Sequence, residues 1–197
     1  MGKSVRSRAP LRLGLAGGGS DVSPYCDIYG GYVLNSTIDK YAYTTIHSRE
    51  DKVVEFIATD LNLRGLRNLK DGSYEGDEVP LHNLVFQHFF KLEPELLKNG
   101  LTIYTYTDAA PGSGLGSSST LVVSILKAFI EYLNLPSDNY HIAELAHKIE
   151  REDYKVKGGK QDQFSAAFGG FNFIEFPSNS RSPIVNPLKI KNWIICE

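Results

Sequence analysis

Alternation of apolar and polar residues predicts most of the strands in this chain. Runs of aromatic and β-branched residues whose side chains alternate in character are typical of strands that bury one face. The predicted strands span Arg8 to Ala16, Tyr32 to Ile38, Tyr41 to Ser48, Val53 to Thr59, Leu101 to Thr107, Phe171 to Phe176 and Ile190 to Cys196. Glycines and asparagines interrupt the pattern between residues 60 and 80, so we expect irregular structure there.

Apolar residues that recur at spacings of three and four predict the main helices. Pro80 to Leu92 has one apolar face, whereas Leu121 to Leu133 is apolar at so many positions that we expect it to be buried. A further helix is expected to begin at a cap formed by Ser137 or Asp138 and to run to about Tyr154.

A short helix is predicted near the start of the chain, after the glycine loop 17–19. Ser20 or Asp21 is a suitable cap for it, and Gly30 follows its last residue, Tyr29. Several strands, then two successive helices, then strands again favour the α+β fold class.

Composition and charge narrow the classes of protein that this chain represents. Its 197 residues, 42% apolar and 22% charged, fit one globular domain with a sizeable core. A net charge of −2 gives no electrostatic basis for binding nucleic acid or an anionic membrane, and no segment is apolar enough to span a membrane. The basic start lacks the apolar stretch of a signal peptide, so we expect a cytoplasmic protein.

The segment from Ala110 to Thr120 connects a predicted strand to a predicted helix and is rich in glycine and serine. Glycines let backbone N–H groups approach an anion, and the free N–H groups of a helix N-terminus favour negative charge. One interpretation is therefore a phosphate-binding loop. The other is a tight turn in which Ser117 or Ser118 caps the helix. Neither the P-loop pattern nor the dinucleotide-binding pattern is present.

Three glycine-containing segments together resemble the GHMP small-molecule kinases. Arg8-Ala-Pro-Leu-Arg12 is similar to the first family motif, Gly114-Leu-Gly-Ser-Ser118 to the phosphate loop, and Gly159-Lys-Gln-Asp-Gln163 to the loop that carries the catalytic aspartate. The resemblance implies the N-terminal domain fold of that family, which is like domain 2 of ribosomal protein S5, with helices packed on a mixed β-sheet. Residues 1–197 would form this ATP-binding domain, and we expect the C-terminal domain of the family to be absent from the chain.

Within the family, four phrases resemble the kinases of D-glycero-D-manno-heptose 7-phosphate: Arg12 to Pro24, Pro111 to Ser119, Gly158 to Phe164 and Phe168 to Phe173. The resemblance implies transfer of the γ-phosphate of ATP to the anomeric hydroxyl of that sugar phosphate, with Mg²⁺ as cofactor. The product would be the 1,7-bisphosphate, used in nucleotide-heptose and surface-glycan synthesis. Two alternatives remain: a kinase for an unphosphorylated sugar such as fucose, and a non-catalytic nucleotide- or sugar-binding module.

The resemblance also assigns roles to individual residues. Asp162 would be the base that accepts the sugar hydroxyl proton, with Arg12 as a cation beside it. Ser118 and Glu152 would bind Mg²⁺, Glu152 being preferred over Glu150. Asp21 would bind the sugar hydroxyls. Because two phosphorylated ligands must be held at once, Gly18, Gly19 and Lys160 are candidates for a second, substrate-binding anion site. The residues that bind ATP would be Pro111, Gly112, Ser113, Gly114, Leu115, Gly116, Ser117, Ser118 and Ser119.

The missing second domain implies an open cleft and an apolar surface that is exposed where that domain would pack. We therefore expect the chain alone to have little activity and to form a homodimer or otherwise self-associate.

Overall fold

A computed structural model describes residues 2–178 and 182–190 of the chain. The first half contains mainly strands: β1 (Ser4–Ala16), α1 (Tyr25–Tyr29), β2 (Gly31–Ser48), β3 (Val53–Ala58), β4 (Leu63–Asn68), β5 (Tyr74–Gly76) and α2 (Pro80–Leu92). The second half contains mainly helices: β6 (Leu101–Thr107), α3 (Ser117–Leu133), α4 (Asn139–Lys148), a π-helix (Ile149–Asp153), α5 (Gln161–Phe168), β7 (Phe171–Phe176) and β8 (Ile184–Pro187).

All eight strands form one mixed sheet, and the long strand β2 organises it. The neighbours run in the order β5-β4-β3-β6-β2-β7-β8, and β1 also pairs with β2. The later half of β2 pairs with β6 from Ala42 to Ser48, and its first residues pair with β7 from Gly31 to Ser36. Among the strands of the described residues, only β3 and β6 pair in parallel, and the connection between them contains β4, β5 and α2. This arrangement confirms the prediction of an α+β fold with a mixed sheet.

Helix α3 forms the centre of the hydrophobic core. It packs against β1 and β2 on the sheet and contacts the other helices α2, α4 and α5. Its buried Phe129 stacks on Phe89 of α2, with ring centroids 5.0 Å apart. On the facing strand, alternate residues such as Ala42 and Ile46 are fully buried, as the period of two along a strand requires. The predicted burial of this helix is therefore confirmed.

Several predicted elements have different boundaries in the structure. Tyr32 to Ile38 and Tyr41 to Ser48 are not two strands, because β2 continues through both. Residues 60–80 are not irregular: β4 and β5 form a hairpin there, with Tyr74 paired to Arg67. The predicted strand from Ile190 to Cys196 lies outside the described residues, apart from Ile190, which is in neither a helix nor a strand.

Of the predicted caps for α1 and α4, the structure confirms only that of α4, and α4 ends earlier than predicted. Asp138 does cap α4, and its carboxylate accepts from the backbone N–H of His141 at 2.8 Å. Neither Ser20 nor Asp21 caps α1, which begins only after Pro24. Helix α4 ends at Lys148, where the backbone changes to one turn of π-helix. Among residues 2–178 and 182–190, no helix is long and apolar enough to cross a membrane.

Candidate active site

The loop between β6 and α3 has three glycines with left-handed backbone conformation. Gly112, Gly114 and Gly116 have φ values of 79°, 75° and 73°, a region that other residues rarely adopt. Gly116 is the N-cap of α3, so the prediction that Ser117 or Ser118 caps this helix is wrong. The serines instead occupy the first turn, where backbone N–H groups have no partner within the helix. This 17-residue helix therefore presents its positive end next to a turn made of small residues.

Arg12 and Asp162 form the ion pair that was expected from the sequence. The Arg12 Nε and Nη2 atoms lie 2.7 and 2.6 Å from Oδ1 of Asp162. Nη1 of the same guanidinium donates to the Gly114 carbonyl at 2.7 Å, and the Arg12 backbone N–H donates to the Leu115 carbonyl at 3.2 Å. The Arg12 guanidinium thus lies between the glycine loop and the Asp162 carboxylate and bonds to both.

Asp162 lies in the first turn of α5, a helix in a segment that the sequence indicated to be a loop. Its Oδ1 atom accepts both bonds from Arg12. In the described part of the chain, no group donates to its Oδ2 atom. A Cβ atom placed on Gly116 would lie 3.4 Å from this free oxygen. The carboxylate is therefore packed against the start of α3 and keeps one oxygen available.

A cleft of about 600 Å³ opens between the end of β1 and the glycine loop. The predicted residues Gly18 and Gly19 line it, together with Arg12, Ser113, Gly114 and Leu115. Gln161, which was not predicted, also lines the cleft and is the first residue of α5. Leu13 and Leu15 of β1 are exposed at this surface. The cleft is thus open and has both polar and apolar walls.

The structure places Glu150, and not Glu152, beside Ser118. The Ser118 hydroxyl donates to Oε1 of Glu150 at 2.9 Å, and Glu150 is almost completely buried. Glu152 is exposed. The difference arises from the π-helix, in which the Tyr154 N–H bonds to the Ile149 carbonyl, five residues earlier. The assignment of Glu152 to a site with Ser118 is therefore corrected to Glu150.

Asp21 is buried behind two residues that line the cleft, Gly19 and Gln161. It is 1% exposed. One carboxylate oxygen accepts from Gly19 N–H at 3.1 Å and the other from Gln161 N–H at 2.9 Å. A side chain at Gly159 would collide with this carboxylate. Asp21 therefore anchors the start of α5, and its contact with a sugar stays a prediction.

Several other predicted binding residues are also not among the residues that line the cleft. Lys160 is the residue before α5 and is not among the residues that line the cleft. The pKa of the nearby Asp27 is lowered mainly by the Ser23 hydroxyl and more weakly by the Lys160 charge. Ser119 is buried, and its hydroxyl accepts from Nε2 of Gln163 at 3.0 Å. Pro111 and Gly112 are exposed at the outer end of the loop.

Two side chains with oxygen atoms, those of Ser118 and Glu150, meet at the start of α3. In the ranges 2–178 and 182–190, no three His, Cys, Asp or Glu side chains come together as a preformed metal site. One buried carboxylate and one exposed hydroxyl, on Glu150 and Ser118, are the hard oxygen ligands that Mg²⁺ accepts. Because Mg²⁺ commonly keeps water and substrate phosphates as further ligands, this pair fits the ion in the presence of a nucleotide.

The chain is similar in sequence and in structure to known kinases. Residues 83–170 match the family described as GHMP kinases N terminal domain. The chain is 48% identical to a D-glycero-alpha-D-manno-heptose 7-phosphate kinase from Campylobacter jejuni, over 99% of this chain and 57% of that protein. It is also similar to the crystal structure of a D-glycero-D-manno-heptose 1-phosphate kinase from Bacteriodes thetaiotaomicron. The sequence identity there is 51% and the TM-score 0.87, over 98% of this chain and 62% of that one.

A more distant structure shows the fold alone. The galactokinase of Lactococcus lactis, solved with galactose, is 21% identical with a TM-score of 0.74, over 96% of this chain and 48% of that one. This chain spans about half the length of the curated relatives that it matches.

Proposed function

We propose that this chain is the N-terminal domain of a GHMP kinase, whose family model matches residues 83–170, and that its cleft belongs to an ATP-dependent sugar kinase. The reaction is transfer of the γ-phosphate of ATP to the anomeric hydroxyl of D-glycero-D-manno-heptose 7-phosphate, which gives the 1,7-bisphosphate. One observation carries the proposal: the Arg12–Asp162 pair, with a contact of 2.6 Å, lies against the glycine loop at the start of α3. A cation, a base and an anion-binding helix end are the groups that phosphoryl transfer requires.

The nucleotide phosphates would bind at the loop 111–119. Its left-handed glycines leave the backbone uncovered, and a Cβ on Gly112 or Gly114 would meet nothing within 4 Å. The free N–H groups in the first turn of α3 and the helix dipole favour a negatively charged group at this end. Bound ATP with Mg²⁺ would supply the transferable phosphoryl group and neutralise part of its charge.

Asp162 would act as the general base. As the sugar hydroxyl oxygen bonds to the γ-phosphorus and the bond to ADP breaks, the hydroxyl proton passes to Oδ2 of the carboxylate. Oδ1 is already held by Arg12, so the free oxygen is oriented before substrate binds. The Arg12 guanidinium orients the base and offsets the charge that develops on the transferred group.

Ser118 and Glu150 would hold Mg²⁺. The Ser118 hydroxyl proton points to Oε1 of Glu150, which leaves the lone pairs of that hydroxyl oxygen free for a cation. Glu150 is buried without a cation partner among the described residues, although Gln163 and Ser118 donate to it. A divalent ion beside it would compensate the negative charge.

A sugar phosphate is favoured as substrate by the glycines at the end of β1. Gly18 and Gly19 line the cleft, and a side chain on Gly19 would meet nothing within 4 Å. This space has no acidic side chain in its lining, so it can receive a second anionic group. The two close relatives are named for the 7-phosphate and the 1-phosphate of one heptose, and both names describe phosphorylated heptose. A kinase for an unphosphorylated sugar is the second candidate.

The domain assignment is also a proposal. Residues 1–197 would be the ATP-binding half of a two-domain enzyme, and the other half of the relatives' length would complete the cleft. A dimer, if it forms, would use the exposed apolar residues of β1 and α1, among them Leu15 and Tyr29.

The decisive experiment uses a longer chain that includes the second domain of the relatives, replaces Asp162 by Asn and measures ADP release with heptose 7-phosphate, free heptose and fucose. We expect turnover to fall by about 10²–10⁴-fold, because the base is lost, while ATP affinity measured by calorimetry stays within about twofold. Glu152→Gln is the matched control, since it neutralises an exposed carboxylate outside the cleft. Turnover of Asp162→Asn equal to that of the control contradicts the mechanism. ATP binding without turnover in the unmodified chain supports the binding-module alternative.

A further inference from the structure

Gln163 is a buried amide that connects three elements of the site. Its side chain is fully buried on α5, directly after Asp162. Its Nε2 atom donates to Oε2 of Glu150 in the π-helix at 2.6 Å and to the Ser119 hydroxyl on α3 at 3.0 Å. The NH₂ group of Gln163 thus links α5, which carries Asp162, to the π-helix, which carries Glu150, and to α3, which carries Ser118.

Gln163 and Ser118 together orient the Glu150 carboxylate. Nε2 occupies one carboxylate oxygen, and the other oxygen is left to accept from Ser118. Without the amide, the carboxylate could rotate, and the only other hydrogen bond that holds it in the described ranges is that of Ser118. The two donors on opposite oxygens therefore fix the plane in which Glu150 faces the start of α3.

A contribution to core stability alone does not account for the amide of Gln163. Its Oε1 atom is buried and has no hydrogen-bond partner among the described residues. A buried acceptor without a partner costs free energy, and an apolar side chain of similar size would avoid that cost. The donor end of the amide, which reaches Glu150 and Ser119, accounts for its presence at this position.

We propose that Gln163 is a positioning residue that holds Glu150 in the orientation needed for a divalent cation and links that cation to the helix of the base. The proposal rests on the function proposed above, and it adds a residue that acts through Glu150 without touching the nucleotide. Partners that orient a metal ligand typically change metal affinity about 10–100-fold when they are removed.

The test is ATP binding by calorimetry, once with excess Mg²⁺ and once with a chelator. The ratio of the two dissociation constants measures how much Mg²⁺ strengthens binding. We expect Gln163→Met to lower this ratio at least about tenfold, because Glu150 loses its orientation while the phosphate loop is unchanged. A residue that only stabilises the fold would weaken binding equally in both conditions and would leave the ratio as it is.

Two further variants sharpen the result. Gln87→Met makes the same chemical change on α2, outside this network, and should keep the wild-type ratio. Ser119→Ala removes the other acceptor of the amide but keeps the 2.6 Å bond to Glu150, so we expect a fall of about two- to threefold. If Gln163→Met does not fold, Ser119→Ala decides the question, since its smaller change is still measurable.

The outcomes separate the two proposals. An unchanged ratio in Gln163→Met, or in Ser119→Ala if the former is unfolded, overturns the role of Gln163 and leaves the kinase proposal intact. A lower ratio supports the role. A wild-type chain that binds no ATP in either condition overturns the proposed function and, with it, the premise of this inference.

Discussion

Replacing Gly116 by Ala tests whether the start of α3 and Asp162, the proposed base, are packed as closely as the structure shows. Gly116 has φ 73° and ψ 26°, a left-handed conformation that costs an alanine about 1–2 kcal/mol. The added Cβ would also lie 3.2 Å from Cγ of Asp162. That carboxylate cannot move away freely, because Arg12 holds its Oδ1 at 2.6 and 2.7 Å.

Gly72→Ala is a matched control, since this glycine has nearly the same φ, 72°, and a side chain there meets nothing within 4 Å. Both variants should lose about 1–2 kcal/mol of unfolding free energy in urea, because the backbone cost is the same. Only Gly116→Ala should lose turnover, by roughly 10- to 100-fold, because small misplacement of a base is costly.

The comparison isolates the contact with Asp162 from the general loss of stability. Turnover is measured as ADP release, at a temperature where both variants are fully folded. If both variants keep the same turnover, the close packing of Gly116 on Asp162 has no part in catalysis and the reasoning is refuted.

Three further predictions concern buried charges. Burial lowers the pKa of His82 from 6.5 to about 4, so the unfolded chain binds a proton at a higher pH than the folded chain does. The free energy of unfolding therefore falls as the pH drops from about 6.5 to about 4, by an amount on the order of 3 kcal/mol. His82→Gln keeps a donor near Thr105 and should lose less stability over this range in urea titrations; an equal loss would exclude His82 as a source. Lys127→Met removes the ammonium that donates to two carbonyls in the last turn of α5, and should cost about 1–3 kcal/mol in the same assay, whereas no loss would show that these bonds contribute nothing. Glu150→Gln should abolish the Mg²⁺ enhancement of ATP binding and Glu152→Gln should not, and the reverse result would restore the sequence-based assignment.

The elements that the sequence predicted well have a strong period and clear ends. Helix α2 has the predicted limits, Pro80–Leu92, because proline begins it and apolar residues recur on one face. The strand β6 also has its predicted limits. The break inserted into β2 at Asp39 and Lys40 was wrong, because two exposed polar residues interrupt the pattern without interrupting the strand.

The site was predicted to the level of motifs but not of individual contacts. The pairing of Arg12 with Asp162 came from a family resemblance, and the structure brings these residues together across most of the sequence. The choice between Glu150 and Glu152 depends on one π-turn, and no pattern of apolar residues reveals such a turn. Gln163 was within a quoted motif, but its role depends on which side of α5 faces inward.

Strand β2 has a consequence for the order in which this domain is assembled during synthesis. The strand is synthesised early, but two of its partners, β6 and β7, are synthesised much later. Gly31 at its start, for example, pairs with Phe176 of β7. Until those later strands emerge from the ribosome, only β1 can cover one of its edges. Contacts between residues so far apart in sequence close slowly, and the open edge of a long strand can pair with another chain in the meantime. The nascent chain therefore has a long interval in which a chaperone that shields exposed strands would improve its yield.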